Sequence, residues 1–159
     1  MGGANEICTD KTGTLTMNQM SIKEFYTLDQ VYTGRPANFR DLKTADLLAQ
    51  GVLFNCSARI EKDEGKYVPK GNCTEQGLIR FLMEVNVPAY EVIRQKENHI
   101  LQQIPFNSGR KRACTVLRSP HDASKVLVFV KGAPEIVIDL CDKYFDTRGS
   151  PVSLDEDSK

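Results

Sequence analysis

The spacing of apolar residues along the chain predicts four helices. Between residues 41 and 57, apolar side chains recur every three or four positions, which predicts an amphipathic helix packed on a core. A second helix is expected to begin at Thr74, a residue type that often caps helices, and a third covers 89–98. A fourth is predicted from Pro134 to about Tyr144, because proline at a first helical position favours a helix start.

Strands are predicted between these helices. Residues 126–130 are apolar without interruption, which is typical of a buried strand, whereas 58–65 are charged and are expected to form a turn. The strands occur in meander-like groups, which indicates an α+β fold with a mainly antiparallel sheet flanked by helices. The segments expected to be extended are 5–9, 21–28, 30–33, 66–69, 101–106, 112–118 and 126–130.

Composition narrows the possible functions. The 21 Lys and Arg residues balance the 21 Asp and Glu residues, so no net charge favours binding to nucleic acid or to an anionic membrane. An apolar content of 40% predicts a folded, soluble domain, and no apolar run is long enough to cross a bilayer or to form a signal peptide. The five widely spaced cysteines include no Cys-x-x-Cys pair, which is typical of reduced thiols in the cytosol.

The strongest chemical pattern lies near the start of the chain, where residues 10–16 read DKTGTLT. A carboxylate is a weak nucleophile and needs nearby charge and donors to hold a transferring phosphoryl group. Lys11 offers a cation, Thr12 a hydroxyl, and Gly13 allows backbone N–H groups to approach phosphate oxygens. The pattern favours Asp10 as a phosphoryl acceptor, although an isolated Asp-Lys pair would indicate no more than a capped turn.

The DKTGTLT run resembles the phosphorylation motif of P-type ATPases, the ion pumps that form an aspartyl-phosphate intermediate. The resemblance implies that Asp10 is phosphorylated with Lys11 and Thr12 beside it, and that Asp10 and Thr12 contact Mg²⁺ together with residues absent from this chain. Phosphatases of the haloacid dehalogenase type are the alternative, but they carry a second Asp two residues after the first. Thr12 occupies that position here, and a hydroxyl is a poor acid or base near neutral pH.

Residues 71–75, which read GNCTE, resemble a segment of the nucleotide-binding domain of the same family. The resemblance implies that Glu75 accepts a hydrogen bond from the adenine amino group and that Thr74 caps the helix that follows. The alternative is that Glu75 complements the dipole of the helix and has no contact with a ligand.

Residues 104–111, which read IPFNSGRK, resemble the family's Phe-(Ser/Asn)-x-x-x-Lys hairpin. By this resemblance Phe106 stacks on adenine, a contact worth about 1–3 kcal/mol per base. Lys111 then meets a phosphate or the edge of the ring as a mobile cation. The alternative makes Phe106 a core residue and the basic run 110–112 a solvated hairpin face.

Residues 130–135, which read VKGAPE, look like the family's Lys-Gly-Ala motif. A buried strand is expected to deliver Lys131, and Gly132 is expected to leave room for a ligand where a side chain would block it. The helix predicted to begin immediately afterwards would complete an anion or nucleotide site. A surface lysine before a strand-to-helix turn is the alternative.

The resemblance covers nearly the whole chain and implies three parts. Residues 1–20 correspond to the start of the phosphorylation domain and its hinge, 21–145 to the nucleotide-binding domain, and 146–159 to a linker or return segment. The family's later Gly-Asp-Gly-x-x-Asn-Asp magnesium segment and its membrane helices are not in this sequence. The expected function is therefore that of an ATP-binding fragment, which binds ATP but does not complete the phosphorylation of Asp10.

The implied cofactors are ATP and Mg²⁺, and the implied partners are the phosphorylation, actuator and membrane domains of the pump. The fragment is expected at the cytosolic face of a membrane without touching the lipid. Residues 1–4, 71–75 and 105–111 look most like plasma-membrane-type calcium pumps, although sodium/potassium pumps share several of these pieces. A plain interaction module that keeps the fold without binding nucleotide is the further alternative.

Overall fold

Helices and antiparallel strands alternate along the chain in a computed structural model that describes residues 5–155, which confirms the α+β class. Single turns of 3-10 helix cover Phe39–Asp41 and Lys96–Asn98. The helices are α1 (Ala45–Phe54), α2 (Cys73–Glu84), α3 (Ala89–Gln95) and α4 (Pro134–Ile138). The strands are β1 (Glu24–Thr27), β2 (Gln30–Thr33), β3 (Arg59–Asp63), β4 (Lys66–Lys70), β5 (Ile100–Asn107), β6 (Arg112–Arg118), β7 (Val126–Gly132), β8 (Lys143–Phe145) and β9 (Pro151–Ser153).

The strands form three hairpins and one larger sheet, and every pair is antiparallel. The hairpins are β1–β2, β3–β4 and β8–β9, and the three-stranded sheet has the order β5–β6–β7. In the central strand β6, Ala113, Thr115 and Leu117 are buried while their neighbours are more exposed, which is the alternation of a sheet covered on one face. Contacts of α1 with β7 place the first helix against this sheet.

The hydrophobic core joins α1, α2 and α3. Leu53, Ile79 and Leu82 are almost completely inaccessible to solvent, because they occupy the apolar positions that recur every three or four residues. Phe81 of α2 packs edge-on against Phe25 and Phe39, with ring centroids 5.4 and 5.5 Å apart. These edge-to-face contacts fix the β1–β2 hairpin to the helices.

The strand expected over residues 5–9 is absent from the described chain. Residues 5–10 have no regular structure and are exposed, and Ile7 is 80% accessible to solvent. A single π-helical turn over Lys11–Leu15 follows. A strand needs at least one neighbouring strand to satisfy its backbone hydrogen bonds, and no segment among residues 5–155 pairs with this one.

Two segments differ from the expected local structure because of their position in the fold. Residues 58–65 are not a simple turn, since β3 pairs with β4 and the turn is confined to Glu64 and Gly65, both with positive φ. The charges of β3 point to solvent while Ile60 is buried. The apolar strand 126–130 is not buried on both faces. Phe129 of β7 packs against α1, whereas Val128 on the opposite face is 57% exposed.

The end of the described chain also differs from expectation. The last helix stops at Ile138 rather than near Tyr144, because β8 begins at Lys143 and pairs with β9. The predicted boundary at residue 145 therefore falls inside a hairpin, and the segment expected to be a linker contributes a strand. Residues 1–4, which contribute to the calcium-pump resemblance, and residues 156–159 lie outside the described chain.

No helix within residues 5–155 combines the length and the apolar character that crossing a bilayer requires.

Candidate functional site

Glu75 and Lys131, which are 56 positions apart in sequence, form an ion pair between the first turn of α2 and the end of β7. Asn72, not Thr74 as expected, caps α2, because its side-chain oxygen accepts hydrogen bonds from the backbone N–H groups of residues 74 and 75. Gly71 has a φ of +129°, and a Cβ added at this position would lie 3.1 Å from the Cα of Ala58. Only glycine suits this approach, which brings the start of α2 against the segment after α1.

The second carboxylate oxygen of Glu75 organises the backbone that leads into β3. It accepts hydrogen bonds from Ser57 N at 3.1 Å, Ser57 Oγ at 2.8 Å and Ala58 N at 3.1 Å. Burial of the Glu75 carboxyl opposes ionisation, but hydrogen bonds from Lys131 and Ser57 outweigh it and lower the pKa of Glu75 below its ordinary value of 4.5. Glu75 is therefore an ionised carboxylate, with 12% of its side chain exposed.

Asn55 connects the end of α1 to the sheet that carries Lys131. Its amide nitrogen donates to the backbone oxygen of Phe129 at 3.2 Å, and its amide oxygen accepts from Thr115 Oγ1 at 3.0 Å. Asn55 and Thr115 are both buried, so these bonds are shielded from competition with water. These bonds fix β6 and β7 relative to α1. The end of β7 and the first turn of α2 meet at the Glu75–Lys131 ion pair.

A cavity of about 230 Å³ opens between these elements. Phe106 of β5 lines it and is 61% exposed, so Phe106 is not the core residue of the alternative interpretation. Glu75 and Lys131 line the same cavity, which means that the structure brings together three of the predicted site residues. The remaining lining residues are Asn55, Cys56, Ser57, Asn72, Gln103, Ile104, Pro105, Ala113, Cys114 and Thr115.

Lys111 and Gly132 lie at the hairpin beside this cavity and do not line it. The backbone oxygen of Lys111 accepts a hydrogen bond from Ala133 N at 3.0 Å, and Lys111 itself has a φ of +50°. A Cβ on Gly132 would collide with that oxygen and would lie 2.8 Å from the Cβ of Arg112. The structure thus gives a different reason for glycine at position 132 from the one expected, since it permits close approach of β7 to the hairpin.

The segment that carries the phosphoacceptor pattern is open to solvent. Asp10 accepts a hydrogen bond from Lys11 N at 2.7 Å, and both residues are exposed. The backbone of Thr12 belongs to the π-helical turn. Among the described residues, no three His, Cys, Asp or Glu side chains converge as metal ligands, and Mg²⁺ coordination by Asp10 and Thr12 stays a prediction.

The end of this N-terminal segment is attached to α2. Arg80 Nη1 donates to the backbone oxygen of Met20 at 2.9 Å. An added Cβ on Gly77 would lie 2.8 Å from the same oxygen, so the absence of a side chain at 77 allows the segment to lie against the helix. The helix whose first turn carries Glu75 therefore also holds the chain that leads from Asp10.

Asn55 and Ser57 are the site residues that the sequence did not indicate. Asparagine after an apolar helix commonly marks the end of the helix, so its role in fixing the sheet had no separate signal. Ser57 follows in a short polar break and shows no recognisable pattern. Only its contact with Glu75, 18 positions later, marks it as part of the site.

Comparison with known proteins agrees with this architecture. The family model for the P-type ATPase cytoplasmic domain N matches residues 43–159. A plasma membrane-type protein of Arabidopsis thaliana, named putative calcium-transporting ATPase 11, is 36% identical over 99% of this chain. Plasma membrane calcium-transporting ATPase 4 of Bos taurus is 35% identical over 96% of the chain.

The chain spans 15% of the length of the Arabidopsis protein and 13% of that of the bovine protein. Neither comparison supports the phosphatase or the sodium/potassium pump that the sequence left open. The family implies the use of ATP and Mg²⁺. The match to the domain model extends over most of the sequence, and the chain belongs to the P-type ATPases, of which it carries cytoplasmic domain N.

Proposed function

We propose that this chain binds the adenine end of ATP in the cavity between Phe106 and the Glu75–Lys131 ion pair. The observation that carries the proposal is the exposure of Phe106, whose side chain lines the cavity and is 61% accessible to solvent. Burial of an aromatic ring is favourable, so this ring is available to a ligand. A planar base against its ring supplies the missing contact. Glu75 and Lys131 provide an acceptor and a donor for the edge of the base.

The size of the cavity limits what it can hold. At about 230 Å³ it is smaller than typical small-molecule pockets, which are roughly 300–1,000 Å³. A base fits inside, and the ribose and phosphates extend toward solvent, where Lys111 is available to a phosphate. Stacking on Phe106 contributes about 1–3 kcal/mol. Few other contacts hold the phosphates, so the expected affinity of the isolated chain is modest.

Titration with ATP, followed by calorimetry and by two-dimensional NMR, tests this proposal. Shifts should cluster at Phe106, Lys131 and Gly132. Phe106→Ala should weaken binding by roughly 5- to 150-fold, because the stacking contact is lost. Leu101→Ala is the matched control, since Leu101 is a large, exposed apolar residue on the same strand and does not line the cavity. Equal affinity of the two variants would refute the stacking role.

We further propose that the longer protein to which this chain belongs transfers the γ-phosphoryl group of ATP to Asp10 to drive cation transport. In that step a carboxylate oxygen of Asp10 attacks the γ-phosphorus, the bond from phosphorus to the ADP oxygen breaks, and an acyl phosphate forms. The names of the two relatives, both calcium-transporting ATPases, support calcium as the cation. Their plasma membrane-type description supports a place for this domain at the cytosolic face of a membrane.

Labelling with γ-³²P-ATP and Mg²⁺ tests this second proposal. The 159-residue chain should stay unlabelled, because no described metal cluster surrounds Asp10 within residues 5–155 and the turn is open to water. The longer protein should form an acid-stable, hydroxylamine-sensitive acyl phosphate in the presence of Ca²⁺. Asp10→Asn should abolish that label. A stoichiometric label on the 159-residue chain would contradict the proposal that only the longer protein phosphorylates Asp10.

A further inference from the structure

A second cavity of about 350 Å³ lies on the other side of the Glu75–Lys131 ion pair. Its walls are mainly apolar and come from α1, α2, β7 and β8, with Thr27 of β1 and Thr44 as polar members. Leu47 and Phe145 remain 38% and 39% exposed in it. The side chains that define its apolar surface are Leu47, Leu48, Val52, Leu78, Phe129 and Phe145.

The two cavities share a wall. Asn55, Cys56, Glu75 and Lys131 line both of them. Asn55 is held by two buried hydrogen bonds, and Glu75 by Ser57 and Ala58, so these parts of the wall are fixed. Lys131 is the adjustable part, because its side chain is 36% exposed and lysine has a long, flexible stem.

The position of Glu75 in this wall determines which part of a purine faces the second cavity. The proposed function directs the exocyclic amino group of adenine to the Glu75 carboxylate. That amino group carries two hydrogens, and replacement of one by carbon leaves an N–H donor for Glu75. To reach the second cavity, a group attached there has to pass Lys131, the adjustable part of the wall. The lining beyond Lys131 is mainly apolar and presents few polar atoms that would be left without partners.

From this geometry we infer that the second cavity is a binding chamber for an apolar, ring-sized substituent on the exocyclic nitrogen of a purine nucleotide. The inference rests on the proposed adenine site. Burial of a benzyl group against Leu48, Val52 and Phe129 removes apolar surface of both ligand and protein from water. The domain accordingly accepts N6-substituted adenine nucleotides and binds them more tightly than ATP.

Gly51 allows the chamber to be closed without a change in the adenine site. Gly51 lies on α1 and lines the apolar cavity but not the cavity that contains Phe106. A Cβ added to Gly51 would lie 3.4 Å from the Phe129 ring. Gly51→Leu therefore fills the chamber from its helical wall. Gly51→Ala is the matched control, because one methyl group leaves most of the volume open and alanine favours the helix.

The experiment compares ATP with N6-benzyl-ATP by calorimetry on the 159-residue chain and on both variants. N6-benzyl-ATP should bind the natural chain at least about tenfold more tightly than ATP, because a benzyl group buries substantial apolar area. Gly51→Leu should abolish this gain while the Kd for ATP changes by less than about twofold, and Gly51→Ala should keep the gain. NMR shifts at Val52, Leu78 and Phe145 should appear with N6-benzyl-ATP and not with ATP.

The possible failures are distinguishable. If ATP binds with shifts at Phe106 and N6-benzyl-ATP binds no more tightly, with no shift in the chamber, the inference is overturned and the adenine site stands. An equal gain in the natural chain and Gly51→Leu overturns the chamber as its source. Should neither nucleotide bind, the proposed function and this inference both fall. If Gly51→Leu does not fold, the NMR map of the natural chain decides between these outcomes.

Discussion

Asp10 and Glu75 are the two carboxylates among the predicted site residues, and their surroundings are opposite. Asp10 caps an exposed π-helical turn, and among the described contacts its carboxylate accepts a hydrogen bond only from the backbone of the next residue. Glu75 is largely buried, pairs with Lys131 and accepts three hydrogen bonds from residues 57 and 58. The more specific sequence pattern belongs to the less organised site.

This difference shows where each carboxylate obtains its environment. Glu75 is organised by contacts within the domain, from α1 through Asn55 to the sheet. The DKTGTLT run has few such contacts, and Ile7, Leu15 and Met17 are 69–82% exposed. These exposed apolar side chains show that the run lacks the internal packing that surrounds Glu75. Three measurements test this contrast, and the first of them should show the greatest difference between the two regions.

Cysteine reactivity should separate the two regions most strongly. Cys8 is exposed two positions before Asp10, whereas Cys56 is 5% exposed beside Glu75 and its thiol donates to Leu53 O at 3.2 Å. Burial also raises the pKa of the Cys56 thiol, although Lys96 opposes the shift. With iodoacetamide at pH 8, followed by mass spectrometry, Cys8 should react at least about a hundredfold faster than Cys56. In urea the two cysteines should react at similar rates. Similar rates of Cys8 and Cys56 in the folded chain would contradict the contrast.

Removal of each carboxylate should have unequal effects on stability. Glu75→Ala leaves two backbone N–H groups and Lys131 without their partner, and it should lower the free energy of unfolding by about 1–3 kcal/mol. The ion pair adds only part of this, because Lys131 is partly exposed. Asp10→Ala, the matched control, should change stability by less than about 0.5 kcal/mol. Urea unfolding monitored by circular dichroism measures both, and equal losses would show that Asp10 is integrated into the fold.

The pH dependence of stability should reveal Glu75 with a smaller effect. Its folded-state pKa lies below 4.5, so the ionised carboxylate stabilises the fold above pH 4.5 and this contribution is lost as the pH falls through the folded-state value. In Glu75→Gln the side chain does not titrate. The natural chain should therefore lose unfolding free energy more steeply than Glu75→Gln as the pH is lowered from 4.5. Parallel curves would mean that Glu75 has the same pKa folded and unfolded.

Much of the fold could be predicted because its elements carry their own signals. The apolar spacing of α1 and α2 and the alternation of β6 follow directly from burial of one face. Segments whose state depends on neighbours were predicted less well. The charged strand β3 exists because β4 pairs with it, and β7 is an outer strand because nothing among residues 5–155 pairs with its far edge.

The candidate site could be predicted only where a residue type stands in a recognisable run. Phe106, Glu75 and Lys131 belong to such runs, and the structure brings them to one cavity. Their relation to each other depends on contacts over tens of residues, such as the hydrogen bond from Asn55 to Phe129, 74 positions away. No local pattern encodes a contact of that span. The capping of α2 by Asn72 instead of Thr74 is a smaller case, decided by the backbone conformation at residue 72.

Helix α2 carries Glu75 of the candidate site and also holds the N-terminal segment, through the hydrogen bond from Arg80 to the backbone oxygen of Met20. Glu75 and Arg80 are five positions apart, which is a rise of about 7.5 Å along a helical axis. About 1.4 turns of helix separate the two side chains, so a tilt of α2 at Glu75 would also displace the point where Met20 is attached. On the proposed function, a base bound beside Glu75 would contact the same helix that holds the segment leading back to Asp10.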